Sequence, residues 1–297
     1  MKTYFYTDEK GISTLNGDLL DELYAGSAIC LGEFDGVHKG HRSLFSEAEK
    51  HGSWGVLLFD RSIKCDETLT TLEEKISLIE RYNADFVVIA EFSDSFSKKT
   101  PEEFTDILEN KLKVSHIICG YDYRFGHKAS GNAELLKTLC KKASVSVVDP
   151  VKIESAPIKS TLIRELLKSG DIEKVNSLLG HPYIITGIVE KGFGNGRKMK
   201  LPTANVYYPE NKLLPADGVY YGKIKGMDAV VNVGKNPTFD AKKRTVEAHI
   251  PDFSGDLYGE NVTVEFYEKI RDDIKFDSIE GLILQINKDI EYVKGKK

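Results

Sequence analysis

Ser27–His41 reads SAICLGEFDGVHKGH. An apolar run, Ser27–Leu31, passes straight into a stretch carrying Gly32, Gly36 and Gly40, and then into the helix-like pattern of His41–His51. A strand that feeds a helix through glycines is where an α/β sheet binds its ligand. The strand's carboxyl end meets the helix N-terminus there, and free amides favour anions. Gly36 and Gly40 are expected to let backbone approach a phosphate. His38 and His41, three residues apart, are expected to point the same way as the helix begins. Two imidazoles beside free N–H groups suit charge building on a phosphoryl group in transfer. A metal would need a third ligand, and none stands at a suitable spacing.

Outward from this stretch the first 180 residues alternate short apolar runs with helical patterns. Trp54–Phe59, Asp85–Ile89, His116–Cys119 and Val145–Val148 are near-continuous apolar runs, as expected of buried parallel strands covered on both faces. Between them the pattern predicts helices over Thr71–Tyr82, Pro101–Leu112 and Asn132–Ala143, followed by Ser160–Lys168 and Asp171–Leu179. The class expected is α/β, with a doubly wound parallel sheet. At Gly180-His181-Pro182 the texture changes. Ile184–Glu190, Gly218–Ile224, Ala229–Val233, Thr245–Ile250 and Asn261–Tyr267 read as strands, several with β-branched residues at period two. A helix from Ser278 to about Tyr292 follows, with Leu282, Ile283, Ile286 and Ile290 on one side. The expected domains are 1–182 and 183–297, the second a small antiparallel barrel or sandwich plus one helix.

Composition narrows the function. The 297 residues hold 41 Lys and Arg against 46 Asp and Glu, a net charge of −5. That balance argues against a protein whose main partner is a nucleic-acid backbone. No run of apolar residues is long enough for a membrane-spanning helix, and MKTYFYTDEKGIST lacks the pattern of a secretory leader. The cysteines, Cys30, Cys65, Cys119 and Cys140, are scattered without a C-x-x-C pair. The expectation is a cytoplasmic protein with reduced thiols, no membrane partner and no nucleic acid.

A second chemical stretch is Lys191–Asn205, KGFGNGRKMKLPTAN. Gly192, Gly194 and Gly196 form a loop able to wrap phosphates, with Arg197 beside them. Pro202 stiffens the entry to Thr203 and Asn205, which face one way in an extended segment. A hydroxyl and an amide oxygen so placed suit Mg²⁺ and phosphate. Ser160 and Thr161 read by themselves as a helix cap before LIREL, Asp122 as a loop aspartate, and Glu247 as an outward strand residue.

The motifs together are familiar. The pattern G-x-F-D-G-x-H-x-G-H, carried by Gly32, Phe34, Asp35, Gly36, His38, Gly40 and His41, resembles the nucleotidyltransferase superfamily. GYDYRFG at Gly120–Gly126 and IKSTLIR at Ile158–Arg164 resemble one family in it, the prokaryotic bifunctional riboflavin kinase/FMN adenylyltransferases. The rear half adds PTAN at Pro202–Asn205, Gly218-Val219-Tyr220, VNVGKNPTF at Val231–Phe239, RTVEAH at Arg244–His249, DLYG at Asp256–Gly259, and Arg271 with KFD at Lys275–Asp277.

The resemblance implies a Rossmann-like adenylyltransferase domain followed by a β-barrel kinase domain with a C-terminal helix. It implies ATP-dependent phosphorylation of riboflavin to FMN in the rear, then adenylylation of FMN to FAD with pyrophosphate release in front. His38 and His41 would hold the triphosphate and stabilise the displacement, with Ser160, Thr161 and Arg164 on phosphate. Asp122 and Arg124 would face nucleotide or flavin. Glu247 would be the general base, Thr203 and Asn205 would share Mg²⁺ and ATP phosphate, and Asn232 and Arg271 would border the flavin. The chain departs from the family in three places. Phe59-Asp60-Arg61-Ser62-Ile63 stands where the family carries Pro-His-Pro, Lys159 replaces the first Ser of its S-S-T run, and Met199-Lys200-Leu201 replaces L-G-F. Two other readings therefore stay open: a riboflavin kinase whose front domain has lost or changed its acceptor, and a flavin-sensing module without turnover.

Overall fold

The computed structural model describes residues 1–20, 26–62, 66–153, 155–190, 203–235 and 244–296. By packing, the chain forms two compact units: 1–68 with 72–159, and 69–71 with 160–297.

The first unit runs β1 (Lys2–Thr7), β2 (Gly11–Thr14), β3 (Leu19–Leu20), β4 (Ala28–Leu31), α1 (Lys39–Ala48), β5 (Trp54–Phe59), α2 (Leu72–Glu80), β6 (Phe86–Ala90), α3 (Asp94–Ser97), α4 (Pro101–Asp106) and β7 (His116–Gly120). It continues through β8 (Arg124–Phe125), β9 (Gly131–Asn132), α5 (Ala133–Leu139), β10 (Ser144–Val148), β11 (Lys152–Ile153) and β12 (Ala156–Pro157). Eight strands form one sheet in the order β10-β7-β4-β5-β6-β1-β2-β3. The five strands expected from sequence run parallel and adjacent, from β10 at one edge to β6. The chain leaves β4 toward β5 and β6 on one side and later returns to β7 and β10 on the other. The order therefore reverses between β4 and β7, and a doubly wound sheet opens a crevice at such a point.

Three features differ from the sequence reading, each for a local reason. The N-terminal strands widen the sheet: β1 lies parallel to β6, and Tyr4 and Tyr6 turn inward to pack edge-on against Phe86 and Phe96. The helix expected to reach Ala143 stops at Leu139. One carboxylate oxygen of Glu109 accepts the N–H groups of Lys141, Lys142 and Ala143 at 2.8, 2.6 and 2.8 Å, and holds that segment out of the helix. The helix opening at Pro101 is capped by Thr100 and Glu103 in a reciprocal box, then loosens into a π turn over Ile107–Lys111.

The second unit comprises α6 (Ser160–Ser169), α7 (Ile172–Leu179), β13 (Tyr183–Glu190), β14 (Ala204–Tyr207), β15 (Gly218–Ile224), β16 (Met227–Lys235), β17 (Arg244–His249), β18 (Asn261–Arg271) and α8 (Ile279–Lys294). The six strands close into a barrel, β13-β14-β17-β16-β15-β18, which settles the choice between barrel and sandwich. The sequence texture changes after Pro182, whereas packing divides the chain after Lys159, because α7 is stitched to the barrel. Asn176 donates to the Phe266 carbonyl at 2.8 Å and accepts from the Tyr183 N–H at 2.7 Å. Tyr220, Val231, Val233, Val264 and Phe266 are fully buried. On the other face of β15 and β16, Ile290 and Val293 of α8 pack against Val219, Tyr221 and Val230. Gly187 is required where β13 meets β14: a Cβ there would lie 2.0 Å from the Tyr207 carbonyl oxygen.

Two predictions follow from this packing. In Gly55→Ala the new Cβ would sit 2.4 Å from the carbonyl oxygen and ring of Phe86, itself fully buried. The variant should lose about 3 kcal/mol or more in urea unfolding, and a midpoint equal to wild type would contradict the packing described. Burial also raises several acids: Tyr6, Tyr221 and Cys119 to about 12, Cys140 to about 11, and Cys30, Tyr123 and Tyr220 well upward. The folded chain keeps these protons after the unfolded chain has released them. Stability should be complete below about pH 8.5 and fall as pH rises toward about 12. Unfolding curves that stay level up to pH 11 would contradict this.

Candidate functional site

Two clusters emerge, one in each unit. In the first, Leu31 at the end of β4 pairs with Cys119 near the end of β7. The Gly32–His41 stretch and the Gly120–Gly126 stretch thus leave neighbouring strand ends at the point where the sheet order reverses. The first loop is tightly wound. Phe34, Gly36 and Val37 all take positive φ (50°, 81° and 42°), and the Val37 N–H donates to the Phe34 carbonyl at 3.1 Å. Such backbone is strained for Phe and Val and persists only where the surroundings hold it. Here both side chains are fully buried, and Phe34 stacks on Phe45 at 5.5 Å. Asp35 and His38 are buried as well.

His38 is the N-cap residue of α1, with φ −70° and ψ 170°, and its ring does not cap the helix. Its carbonyl instead accepts the N–H groups of His41 and Arg42 at 2.7 and 3.2 Å. The imidazoles of His38 and His41 stack with centroids 3.6 Å apart and planes 15° from parallel. Two of the glycines also leave space for side chains of the motif itself. A Cβ on Gly40 would sit 3.0 Å from Cε1 of His38, and one on Gly32 would sit 3.1 Å from the Phe34 ring. They make room for the motif's own rings.

On β7's side, the Tyr123 N–H donates to the Gly120 carbonyl at 3.0 Å and closes the turn. Tyr123 and Phe125 stack at 5.8 Å and pack on the core, so the alternating residues Asp122 and Arg124 are exposed. Beyond β5, the Asp60 carboxylate accepts the Phe92 N–H at 3.0 Å and Arg61 donates to the Phe92 carbonyl at 2.5 Å. Ser62 donates to Glu33 at 2.8 Å. Where the resemblance leads one to expect Pro-His-Pro, this chain has a polar turn tied to the exit of β6 and to the glycine-rich loop. Ser160, Thr161 and Arg164 occupy the first turns of α6, which packs with the second unit; Ser160 and Arg164, four apart, share a helix face.

In the barrel, the strand register assembles the second cluster. Glu190 pairs with Asn205, Asn205 with Glu247, Glu247 with Asn232, Asn232 with Val219, and Val219 with Arg271. Directly paired residues share a face, with Cβ atoms ~5 Å apart. Val246 and Ala248, flanking Glu247 along β17, are buried at 1% exposure, so Glu247 stands on the opposite, outer face with an amide on each side. Thr203 lies two residues before Asn205 and is half-buried. At the far end of the row, Arg271 grips Asp289 of α8 through Nε at 3.2 and 3.1 Å and Nη2 at 2.8 Å. Sequence reading missed Asp289. Its signal was a Gln and an Asp one turn apart on a helix, following an isolated Arg on a strand. Gly192, Gly194, Gly196, Arg197 and Pro202, and the NPTF segment Asn236–Phe239, lie outside the described residues.

No group of three or more His, Cys, Asp or Glu among the described residues could hold a metal. The hydroxyl of Thr203 and the amide oxygen of Asn205 are hard donors next to a carboxylate. That set suits Mg²⁺ arriving with a nucleotide better than a resident transition metal. No helix among the described residues is long and apolar enough to cross a membrane.

Comparison with known proteins agrees with this division. A family model described as FAD synthetase matches residues 21–162, and one described as riboflavin kinase matches residues 179–296. A bifunctional riboflavin kinase/FMN adenylyltransferase of Bacillus subtilis is 34% identical over 292 residues, covering 91% of this chain and 92% of its own. The protein of the same description from Listeria monocytogenes is 34% identical over 88% of this chain and 89% of its own. Among solved structures, a macrolide-efflux protein from Streptococcus pneumoniae is 31% identical, with a TM-score of 0.86 over 100% of both chains. With both family models matched in order and full-length relatives above 30% identity, the chain belongs to the bifunctional riboflavin kinase/FMN adenylyltransferase family.

Proposed function

We propose that the chain performs both steps of flavin cofactor synthesis, each in its own unit, with the site residues divided as follows. In the barrel, Glu247 takes the proton of the riboflavin 5′-hydroxyl as its oxygen attacks the γ-phosphorus of ATP, and ADP leaves. A carboxylate set between two amides on a rigid strand is oriented before substrate arrives, which general-base catalysis requires. Thr203 and Asn205 hold the phosphates, together with Gly192, Gly194, Gly196 and Arg197. Mg²⁺ carried in with ATP supplies charge neutralisation at the transferring group. Asn232 and Arg271 border the flavin. The row Asn205–Glu247–Asn232 is the observation that carries this reading.

In the front unit, the FMN phosphate attacks the α-phosphorus of a second ATP and pyrophosphate leaves, giving FAD. His38 and His41, stacked at the start of α1, stabilise the charge that develops on the α-phosphate. Asp122 and Arg124, exposed beyond β7, face the flavin or adenosine. Neither step needs a covalent enzyme intermediate, since orientation and charge stabilisation suffice. The three described cysteines are free and buried, which supports placing these reactions in the reducing cytoplasm.

Glu247→Gln keeps shape and removes the base. It should lower FMN formation from riboflavin by about 10²–10⁴-fold while leaving adenylylation of supplied FMN within about twofold. His38→Ala should do the reverse, with FAD formation down by about 10²–10³-fold. Parallel loss of both activities in either variant, read by chromatography of the flavins, would contradict the assignment.

A further inference from the structure

Arg271 has five N–H donors. Nε and Nη2 hold Asp289, and Nη1 donates to the Asp272 carbonyl at 3.1 Å, leaving two N–H groups uncommitted by these bonds. Asp289 is 3% exposed, a deep position for a carboxylate that no step above uses. One turn earlier on α8, Gln285 donates to its Oδ1 at 2.9 Å, so the carboxylate is itself held in place. Across the sheet, Arg271 stands three strand spacings from Glu247 through Val219 and Asn232, roughly 14 Å along the curved surface. That is too far to touch a phosphoryl group at Glu247, and Val219 between them is covered by Ile290 and Val293 of α8, so a flavin ring meets Arg271 beside that helix and not over Val219.

We propose that Asp289 is a positioning residue of the kinase site: its buried carboxylate, steadied by Gln285, aims the Arg271 guanidinium so that its remaining donors meet the flavin ring. The inference rests on the kinase reading above. An Arg clamped in a fork loses less freedom on meeting a ligand than one swinging free, so the pairing strengthens substrate binding. Since Arg271 lies away from the transferring group, it contributes equally to ground state and transition state. The consequence falls on KM for riboflavin rather than on kcat. The helix does not depend on this pair alone, because Ile290 and Val293 also pack on Val219, Tyr221 and Val230.

The test is steady-state kinetics on the full-length chain. Asp289→Asn keeps the shape and removes the charge; Arg271→Lys keeps the charge and removes the fork. Each should raise KM for riboflavin about tenfold, with kcat within about threefold and KM for ATP unchanged. The double variant should be no worse than the worse single, since both break one unit. Should Asp289→Asn fail to fold, as judged by loss of the cooperative urea-unfolding transition of the second unit, the milder Gln285→Met should raise KM by about threefold. A folded Asp289→Asn, or in its place Gln285→Met, with wild-type KM for riboflavin overturns the proposal, as does additivity in the double variant. If wild type forms no FMN from riboflavin, the kinase reading itself falls; wild-type turnover with an unmoved KM sinks only the role of Asp289.

Discussion

Strand alternation under burial is the constraint on which both clusters depend. Glu247 faces outward because Val246 and Ala248 on either side are locked in the barrel interior. A slip of one residue would drive the carboxylate inside and expose two apolar neighbours. The same rule sends Asp122 and Arg124 outward while Tyr123 and Phe125 hold the loop from within. At the start of α1 the device is different but the logic holds. Phe34 and Val37, fully buried in strained backbone, fix the turn that delivers His38 and His41 to one place. In each case an apolar side chain anchors a polar neighbour.

The net charge of −5 is compatible with two anion-handling reactions because the cationic and donor groups are local. The imidazoles of His38 and His41 lie at a helix start, and a hydroxyl and an amide, Thr203 and Asn205, stand beside Glu247 in the barrel. Neither site calls for a globally basic surface. Dividing two chemistries between a parallel sheet and a closed barrel also lets each be tuned separately. A strand end at a topological switch suits a large nucleotide, and a rigid barrel wall suits proton abstraction from a single hydroxyl.

Much of this was legible in the residues. Trp54–Phe59 and Gly218–Ile224 are strands at the bounds the sequence predicts, since burial on both sides leaves few polar residues to blur them. Period two along Thr245–Ile250 anticipated β17 and the outward direction of Glu247. What stayed hidden depended on partners distant in sequence. The role of Gly40 depends on where the His38 ring rests, and the early end of α5 on Glu109, some 32 residues upstream of Lys141. The seating of α7 depends on Asn176 reaching carbonyls 90 residues away. The Lys2–Thr7 strand shows only its aromatic alternation, which becomes informative once β6 is in place beside it. Asp289 shows nothing by itself; its meaning comes from Arg271 on a strand 18 residues earlier.

The polar turn at Asp60–Ser62 concentrates the question of whether the front unit accepts FMN. A time course of the wild-type chain with riboflavin, ATP and Mg²⁺, with flavins and pyrophosphate quantified together, answers it directly. The account predicts that FMN rises first and then falls as FAD and pyrophosphate accumulate in equal amounts. FMN that accumulates without either product would contradict the claim that one polypeptide carries both reactions.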